Sequence, residues 1–167
     1  MKPFKIDLKP IGIVKTSFSN EEIKARWAKG VEAEIQVFEE YGEALEGIDG
    51  YSHLFVLFYM HEVSEEQRNT LKVRPRRFAR YGLKLEDLPL VGVFSVSSPH
   101  RPNPIGLTIV RLLQRRDNIL KVDGMDAFDG TPVLDLKPYS PDRCKHEIQL
   151  PAWTEVLVRS KSTGIVW

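Results

Sequence analysis

One proline-rich segment gathers side chains that could do chemistry. Residues 97–106 read SSPHRPNPIG, in which three prolines alternate with His100, Arg101 and Asn103. Histidine exchanges a proton near neutral pH, arginine binds anions, and an asparagine amide donates and accepts hydrogen bonds. Proline fixes φ and removes an amide donor, so the segment is predicted to be neither helix nor central strand. We expect a stiff loop that clamps a ligand at low entropic cost, or a rigid crossover that only joins two strands.

The elements that must position this loop are rich in β-forming residues. VGVFSV precedes it and LTIVRLL follows it, and both are predicted strands. Residues 31–38 alternate apolar and polar side chains, which predicts a half-buried strand. Residues 51–61 are almost continuously apolar, which is typical of a strand buried on both faces. Further strands are predicted at residues 11–18, 71–78, 119–122 (in a hairpin with 107–113) and 133–137.

Short helical segments and tight turns are expected between the strands. Asn20 can cap a helical turn that runs through Trp27, and residues 39–46 form one or two further turns before Gly47. The pairs Asp123-Gly124 and Asp129-Gly130 favour tight turns with positive φ.

The net charge of +1 conceals a segregation of charge along the chain. Residues 67–85 contain seven cations and no acid, whereas residues 31–50 contain seven acids and no base. If residues 71–78 form a strand, cations at every second position share one face and form a phosphate track. The alternative is a solvated edge strand that uses charge against aggregation. The candidate RNA-contacting residues are Lys72, Arg74, Arg76 and Arg77.

Bulk properties bound the class of protein. A chain of 167 residues fits a single domain with a sizeable core. The single cysteine, Cys144, excludes an internal disulfide framework and, with no signal peptide in view, predicts a cytoplasmic protein. The longest apolar run is too short to span a bilayer. His53 and His61 share a face if the strand is unbroken, but no further ligand has suitable spacing, so we expect no metal.

Several strings resemble one known family. HRPNPIG, preceded by GVFSVSSP, is similar to the signature of the TrmO family, also called YaeB-like or TsaA-like proteins. Three more segments resemble the family in the same order: GIDGYSHLFVLFYMH, KVRPRRF and MDAFDGTPVLDLKPYSP. With the opening IGIVKTSF, the resemblance covers about residues 11–141, and residues 142–167 are a C-terminal tail.

The resemblance implies a fold, an activity and partners. The fold would be mainly β, a small single-domain antiparallel β-barrel with short helices, unlike the Rossmann-type methyltransferases. The activity would be N6-methylation of threonylcarbamoyladenosine beside the anticodon of tRNA, with S-adenosylmethionine as the cofactor. The protein would form a homodimer with the pocket near the interface.

The resemblance also implies site residues. The expected cofactor contacts are Arg26, His61, Ser97, Arg101, Leu107, Asp129, Gly130, Thr131 and Pro132. Methyl transfer needs alignment of donor and acceptor and is helped by a base. The expected catalytic residues are His100, Asp126 and Asn103, although Asp126 and Asp129 serve equally well as turn caps. Tyr51, Phe94, Phe128 and Tyr139 either stack on a splayed base or pack in the core.

The sequence departs from the family at one cofactor position. The family usually has an arginine two residues before the first proline of the loop, where this chain has Ser97. Arg101 or a cation of the basic segment is a candidate substitute. Two alternatives therefore stay open: a methyltransferase that acts on another RNA or on a small molecule, and a β-barrel that binds RNA without catalysis.

Overall fold

The computed structural model describes residues 5–81, 83–145 and 147–154, without the side chains of residues 77, 80 and 81. The chain divides into two compact units, Met1–His61 with Ile105–Arg143 and Glu62–Pro104 with Cys144–Trp167. The expectation of a single domain over residues 1–167 stays a prediction.

Eight strands occur in the described ranges. They are β1 Gly12–Lys15, β2 Val31–Val37, β3 His53–Tyr59, β4 Lys72–Val73, β5 Val91–Gly92, β6 Ile105–Arg116, β7 Ile119–Met125 and β8 Pro132–Pro138. Six of them close into an antiparallel barrel in the order β1-β2-β7-β6-β3-β8, and β1 completes the ring by pairing Gly12 with Val133 of β8. The predicted mainly-β antiparallel barrel is confirmed.

The barrel encloses the core of the first unit because its strands alternate. In β2, Val31, Ala33, Ile35 and Val37 are buried while Glu32 and Glu34 are exposed. This alternation confirms the half-buried strand predicted from the pattern. The other fully buried side chains of this core are Val14, Leu54, Val56, Val110, Leu120, Val122, Met125 and Val133.

The prediction that the third strand is buried on both faces is wrong. β3 spans His53–Tyr59 and alternates buried with half-buried residues, so one face fills the barrel and the other lies outside. The apolar side chains of the outer face simply obscure the alternation. His61 lies beyond the end of the strand.

The hairpin of β6 and β7 is confirmed and is longer than predicted. Its turn is Asp117-Asn118, and Asp117 has a φ of 51°. The turn carbonyl of Asp117 accepts a hydrogen bond from Nε of Arg115 at 2.9 Å.

The short helices begin at capping boxes. Helix α1, Asn20–Ala25, is capped by Ser19, whose hydroxyl accepts from the amide of Glu22 while the Glu22 carboxylate accepts from the amide of Ser19. The expectation that Asn20 is the cap is therefore wrong by one residue, because the serine completes the reciprocal pair. Helix α2, Glu65–Arg68, has the same arrangement at Ser64. Residues Glu39–Leu45 form the expected turns as a 3-10 helix.

The second unit contains little regular structure. β4 and β5 form a two-residue antiparallel ribbon, and Phe78, Leu88 and Trp153 form a separate apolar cluster. The strand predicted at residues 71–78 is confirmed only at Lys72–Val73 and is wrong beyond them, because Pro75 has no amide to donate and a 3-10 helix follows at Arg76–Tyr81. The strand VGVFSV is also wrong beyond Gly92, where the 3-10 helix Val93–Ser95 begins.

Candidate functional site

The turn between β7 and β8 is held against β1. The amide of Gly130 donates to the carbonyl of Val14 at 2.8 Å, and the amide of Val14 donates to the carbonyl of Thr131 at 2.9 Å. The carboxylate of Asp129 accepts from the amide of Thr16 at 3.0 Å, and its other oxygen lies 3.8 Å from Nζ of Lys15. Pro132 then pairs with Ile13 as β8 begins. These contacts fix the backbone of residues 129–132.

His61 joins this turn from the end of β3. Its Nδ1 lies 3.4 Å from the hydroxyl of Thr131, which is buried, while the histidine itself is exposed. The first unit therefore brings together His61 and residues 129–132, which the family resemblance links to the cofactor.

A groove opens beside the turn, over the outer faces of β1, β2 and β7. Its volume is about 820 Å³. Arg26 and Asp129 both line it, so one more of the expected cofactor contacts, Arg26, shares a surface with Asp129. Phe18 also lines the groove, and the guanidinium of Arg26 lies 5.0 Å from the centre of its ring. This distance suits a cation–π contact that holds Arg26 at the rim.

The groove walls carry charges of both signs. Cations and anions alternate, with Lys121 and Glu32 paired at 3.2 Å and Lys15 paired with Asp129. Glu34 and Asp123 also line the walls. Such a surface suits a ligand that itself carries charges of both signs. Five residues that line the groove were not predicted from the sequence: Lys15, Thr16, Phe18, Glu32 and Lys121. For Glu32, the exposed face of the alternating β2 was the available signal.

Asp126 has a buried carboxyl group with an unused acceptor. Its Oδ1 is buried and has no hydrogen-bond partner among the described residues. Burial raises the pKa of Asp126, and hydrogen bonds from its own backbone and from Thr108 oppose this effect only in part. The indole Nε1 of Trp27 donates to the Asp126 carbonyl at 3.4 Å. A carboxyl group in this state is better suited to accepting a proton than an ordinary solvated one.

Leu107 lies on an apolar strip outside the barrel. It pairs with Leu57, and Ile109 pairs with Phe55 one step further along β3 and β6. Leu107 is 63% exposed and Ile109 is 44% exposed. Tyr139 meets Phe55 edge-on, with ring centres 5.1 Å apart. Leu107, which is expected to contact the cofactor, is therefore part of an apolar strip on the outer surface of β3 and β6.

Residues 97–104 of the proline-rich segment lie in the second unit and are braced by Arg101, whereas Ile105 and Gly106 begin β6 in the first unit. Arg101 donates from Nε to the carbonyl of Ser98 at 2.8 Å and from Nη2 to the carbonyls of Val93, at 2.9 Å, and Val96. The amide of His100 donates to the hydroxyl of Ser98 at 3.3 Å. The stiff loop is therefore held by side-chain bonds as well as by proline.

The remaining residues of the loop are accessible. Ser97 and Asn103 are exposed and His100 is half-buried. The roles expected for Ser97, His100, Arg101 and Asn103 stay predictions.

The basic residues do not share a strand face. Lys72 lies in β4, whereas Arg76 lies in a 3-10 helix and Arg74 donates to the backbone carbonyls of Glu86 and Leu88. Lys72 and Arg76 are exposed and form no ion pair within the described ranges. The side chain of Arg77 lies outside the described residues. The phosphate track expected from a regular period of two is thus not formed.

The four aromatic candidates differ in exposure. Phe94 is 83% exposed and Tyr51 is 43% exposed, so neither packs in a core. Phe128 is half-buried with Nζ of Lys24 at 5.3 Å from its ring centre. Tyr139 is half-buried and contacts Phe55 and His53.

Among the residues described, no three His, Cys, Asp or Glu side chains converge as a metal site. None of the helices in these ranges has the length and apolarity needed to cross a membrane.

Comparison with known proteins gives consistent relatives. Residues 13–143 match the family model described as the tRNA-methyltransferase O N-terminal domain. A probable S-adenosyl-L-methionine-binding protein of Methanothermobacter thermautotrophicus is 40% identical over 145 residues, which cover 85% of this chain and 96% of the relative. The tRNA (adenine(37)-N6)-methyltransferase of Mus musculus is 40% identical over 106 residues, or 64% of this chain and 22% of that protein.

A solved structure has the same fold. The crystal structure of TrmO from Pseudomonas aeruginosa matches with a TM-score of 0.66 and 26% identity, covering 90% of this chain. This chain spans 62% of the length of that solved chain.

Proposed function

We propose, because this chain belongs to the tRNA-methyltransferase O N-terminal domain family, that it is a methyltransferase that uses S-adenosylmethionine to methylate N6 of threonylcarbamoyladenosine in tRNA. The observation that carries the proposal is the turn of residues 129–132, held against β1 beside a groove lined by Arg26 and Asp129. The relatives' names, an S-adenosyl-L-methionine-binding protein and a tRNA adenine-N6 methyltransferase, support the same assignment.

The residues at the groove fit S-adenosylmethionine. This molecule carries a carboxylate, an ammonium group and a sulfonium cation, and the groove carries guanidinium, ammonium and carboxylate groups. We assign the carboxylate contact to Arg26 and the contact with positive charge to Asp129. The hydroxyl of Thr131 and the ring of His61 supply hydrogen-bonding groups beside them. Gly130, Pro132 and Leu107 complete the proposed set.

The chain's own contribution to catalysis is alignment and a proton acceptor. S-adenosylmethionine supplies an electrophilic methyl group when bound. The acceptor nitrogen gives up a proton, and we assign the carboxylate of Asp126 to receive it because Oδ1 is a buried acceptor that is not used elsewhere among the described residues. The raised pKa of Asp126 strengthens it as a base once it is ionised. His100 and Asn103 remain the other proposed catalytic residues.

The basic segment is proposed to bind tRNA. Lys72 and Arg76 present exposed charges that can contact phosphates, and Arg77 is included from the sequence. Contacts to phosphates set the position of the RNA and make its affinity fall with salt. We also expect the cytoplasm as the location, on the grounds of the single cysteine.

Calorimetric titration tests the proposed function. S-adenosylmethionine is titrated into the wild type, into Asp129→Asn, and into the matched control Asp142→Asn, which changes an exposed aspartate at residues Pro141–Arg143. We expect micromolar binding by the wild type and the control, and at least tenfold weaker binding by Asp129→Asn, since a charged hydrogen bond is worth about 1.5–3 kcal/mol. Equal affinities would remove Asp129 from the site, and no binding by the wild type would refute the cofactor.

Methyl transfer tests the acid–base assignment separately. Asp126→Asn keeps the shape of the side chain but loses the basic carboxylate. We expect the transfer rate to tRNA to fall by about 10²–10⁴-fold, the usual contribution of a positioned base, with little change in cofactor affinity. An unchanged rate would assign the proton to another acceptor.

We further propose a homodimer formed through the apolar strip of Leu57, Leu107, Phe55 and Ile109. Exposed apolar side chains that lie together on a sheet favour a protein interface over solvent. Ile109→Lys is expected to shift the protein to a monomer in sedimentation velocity, whereas Ile148→Lys, which changes another exposed isoleucine, leaves the state unchanged. A wild type that sediments as a monomer would refute the dimer.

A further inference from the structure

Phe94 is a conspicuous feature of the second unit. It is 83% exposed, the largest fraction among the exposed large apolar side chains of the described residues. Isolated apolar residues are common on surfaces and need no explanation by themselves. The backbone around Phe94 and the charges beside it distinguish this ring from an incidental one.

The backbone that carries Phe94 is fixed on both sides. Val93, immediately before it, is buried at 2% exposure and donates its amide to the carbonyl of Leu71 at 3.0 Å. One nitrogen of the Arg101 guanidinium, Nη2, donates hydrogen bonds to the carbonyls of both Val93 and Val96. The 3-10 helix Val93–Ser95 is thus pinned at each end while the ring projects into solvent. A ring held in this way loses little entropy when a ligand stacks on it.

An exposed cation lies on the strand that pairs with the residues before Phe94. Lys72 pairs with Gly92 in the β4–β5 ribbon, two residues before Phe94. It is exposed and has no ion-pair partner in the part of the chain that the structure describes. The segment of residues 67–85, to which Lys72 belongs, has no acid in its sequence. An anionic partner is therefore favoured, and the exposed ring of Phe94 favours one that carries flat bases.

We propose that Phe94 is a stacking platform for an unpaired base of single-stranded RNA, with Lys72 contacting a phosphate of the same strand. An exposed aromatic ring near a cation is an arrangement by which proteins bind unpaired nucleotides. Arg101 acts as a positioning residue that holds the ring's backbone. The identification of this RNA as the loop of a tRNA rests on the proposed function; the platform itself does not.

The test uses the full chain and two RNA probes. The first is an anticodon stem-loop, and the second is the same RNA with 2-aminopurine in the loop, whose fluorescence is quenched on stacking. Phe94→Ala is compared with Phe94→Trp, which keeps a stacking face, and with Leu85→Ala, a control at another exposed apolar residue of the same unit. We expect Phe94→Ala to bind about 5- to 150-fold more weakly, which is the value of stacking one base, and to lose the quench. Phe94→Trp and Leu85→Ala should retain both.

Affinity and oligomeric state separate the outcomes. Equal RNA affinities of the wild type and Phe94→Ala would overturn the stacking platform. That result would not bear on the proposal of methyl transfer. Failure of the wild type to bind either RNA would overturn both the platform and the tRNA substrate, and cofactor titration would then show whether a methyltransferase remains. A change in sedimentation of Phe94→Ala without a change in RNA affinity would instead assign the ring to a protein interface.

A double-mutant cycle tests the positioning role of Arg101. If Arg101 acts through the ring, Arg101→Ala weakens RNA binding in the wild-type background and has little effect in the Phe94→Ala background. A merely structural loss would weaken binding equally in both backgrounds and would overturn this part of the proposal.

Discussion

Gly30 lies where two backbone segments touch at the groove, and its replacement by alanine tests that contact. Gly30 follows α1, has a φ of 69°, and lines the groove. A Cβ at this position would lie 2.3 Å from the carbonyl carbon of Gly124 and 2.6 Å from its Cα. Neither contact can be relieved by turning a side chain, because both atoms belong to the backbone of β7.

Two costs add in Gly30→Ala. A left-handed φ costs an alanine about 1–2 kcal/mol. Forcing a backbone apart to admit one methyl group costs about 1–3 kcal/mol more. Gly47→Ala is the matched control, since Gly47 has a φ of 78° but nothing within 4 Å of the added Cβ. The control therefore carries the first cost alone.

Urea denaturation of both variants measures the difference. We expect Gly30→Ala to lose about 2–5 kcal/mol of unfolding free energy and Gly47→Ala about 1–2 kcal/mol. Cofactor affinity should also fall in Gly30→Ala, because Gly30 lines the groove. Equal losses in the two variants would show that β7 yields freely at Gly124 and that the close approach has no energetic weight.

Three further predictions concern single side chains. Burial raises the pKa of Asp126, so the folded state keeps this proton to a higher pH than the unfolded state does. The unfolding free energy of the wild type, relative to that of Asp126→Asn, should therefore fall as the pH rises above about 4. Urea titrations at several pH values measure this difference. A relative stability that rises with pH would contradict the burial argument. Ser19→Ala removes the cap of α1 and should cost about 0.5–2 kcal/mol, with faster amide exchange in α1 but not in α2. Arg115→Met removes bonds of 2.9 Å to the carbonyl of Leu45 and 3.0 Å to Asp49, and should cost about 1–3 kcal/mol in thermal unfolding; a neutral result would assign those acceptors to solvent.

The barrel could be predicted from local pattern because its strands alternate cleanly or begin and end at turn signals. β2 and the hairpin of β6 and β7 follow the period of two, and Gly130 has the positive φ that its Asp-Gly pair indicated. The tight turn predicted at Asp123-Gly124 is wrong, because both residues lie within β7, although Gly124 does have a positive φ. The closure of the barrel could not be read from periodicity, since the pairing of Gly12 with Val133 joins distant parts of the chain. The prediction of a closed barrel came instead from the family resemblance.

The errors occur where one proline or one neighbour outweighs a pattern. Cations at every second position suggested a strand through Arg76, but Pro75 removes the donor that a strand needs. Asn20 is a good cap by type, yet Ser19 alone can complete the box with Glu22. Phe94 was weighed as a core residue because sequence shows that a ring is apolar and not that its backbone is turned outward.

The groove was missed for a related reason. Its walls combine residues from β1, β2 and β7, which lie far apart in sequence and meet only through sheet pairing. Polar residues on the outer face of a strand look the same in sequence whether they meet bulk water or one another.

The pairing of Tyr59 with Ile105 has a consequence for how this chain can change. The chain leaves the barrel after β3 and returns to it in β6 at directly opposite positions, so the roughly 45 residues between them close a single hairpin. Because the entropy of loop closure grows only with the logarithm of length, replacing a four-residue turn by this segment costs the barrel about 2 kcal/mol. The barrel can therefore accept insertions between β3 and β6. Residues 60–104 could be lengthened, replaced or deleted, in evolution or by design, with little change in the stability of the barrel.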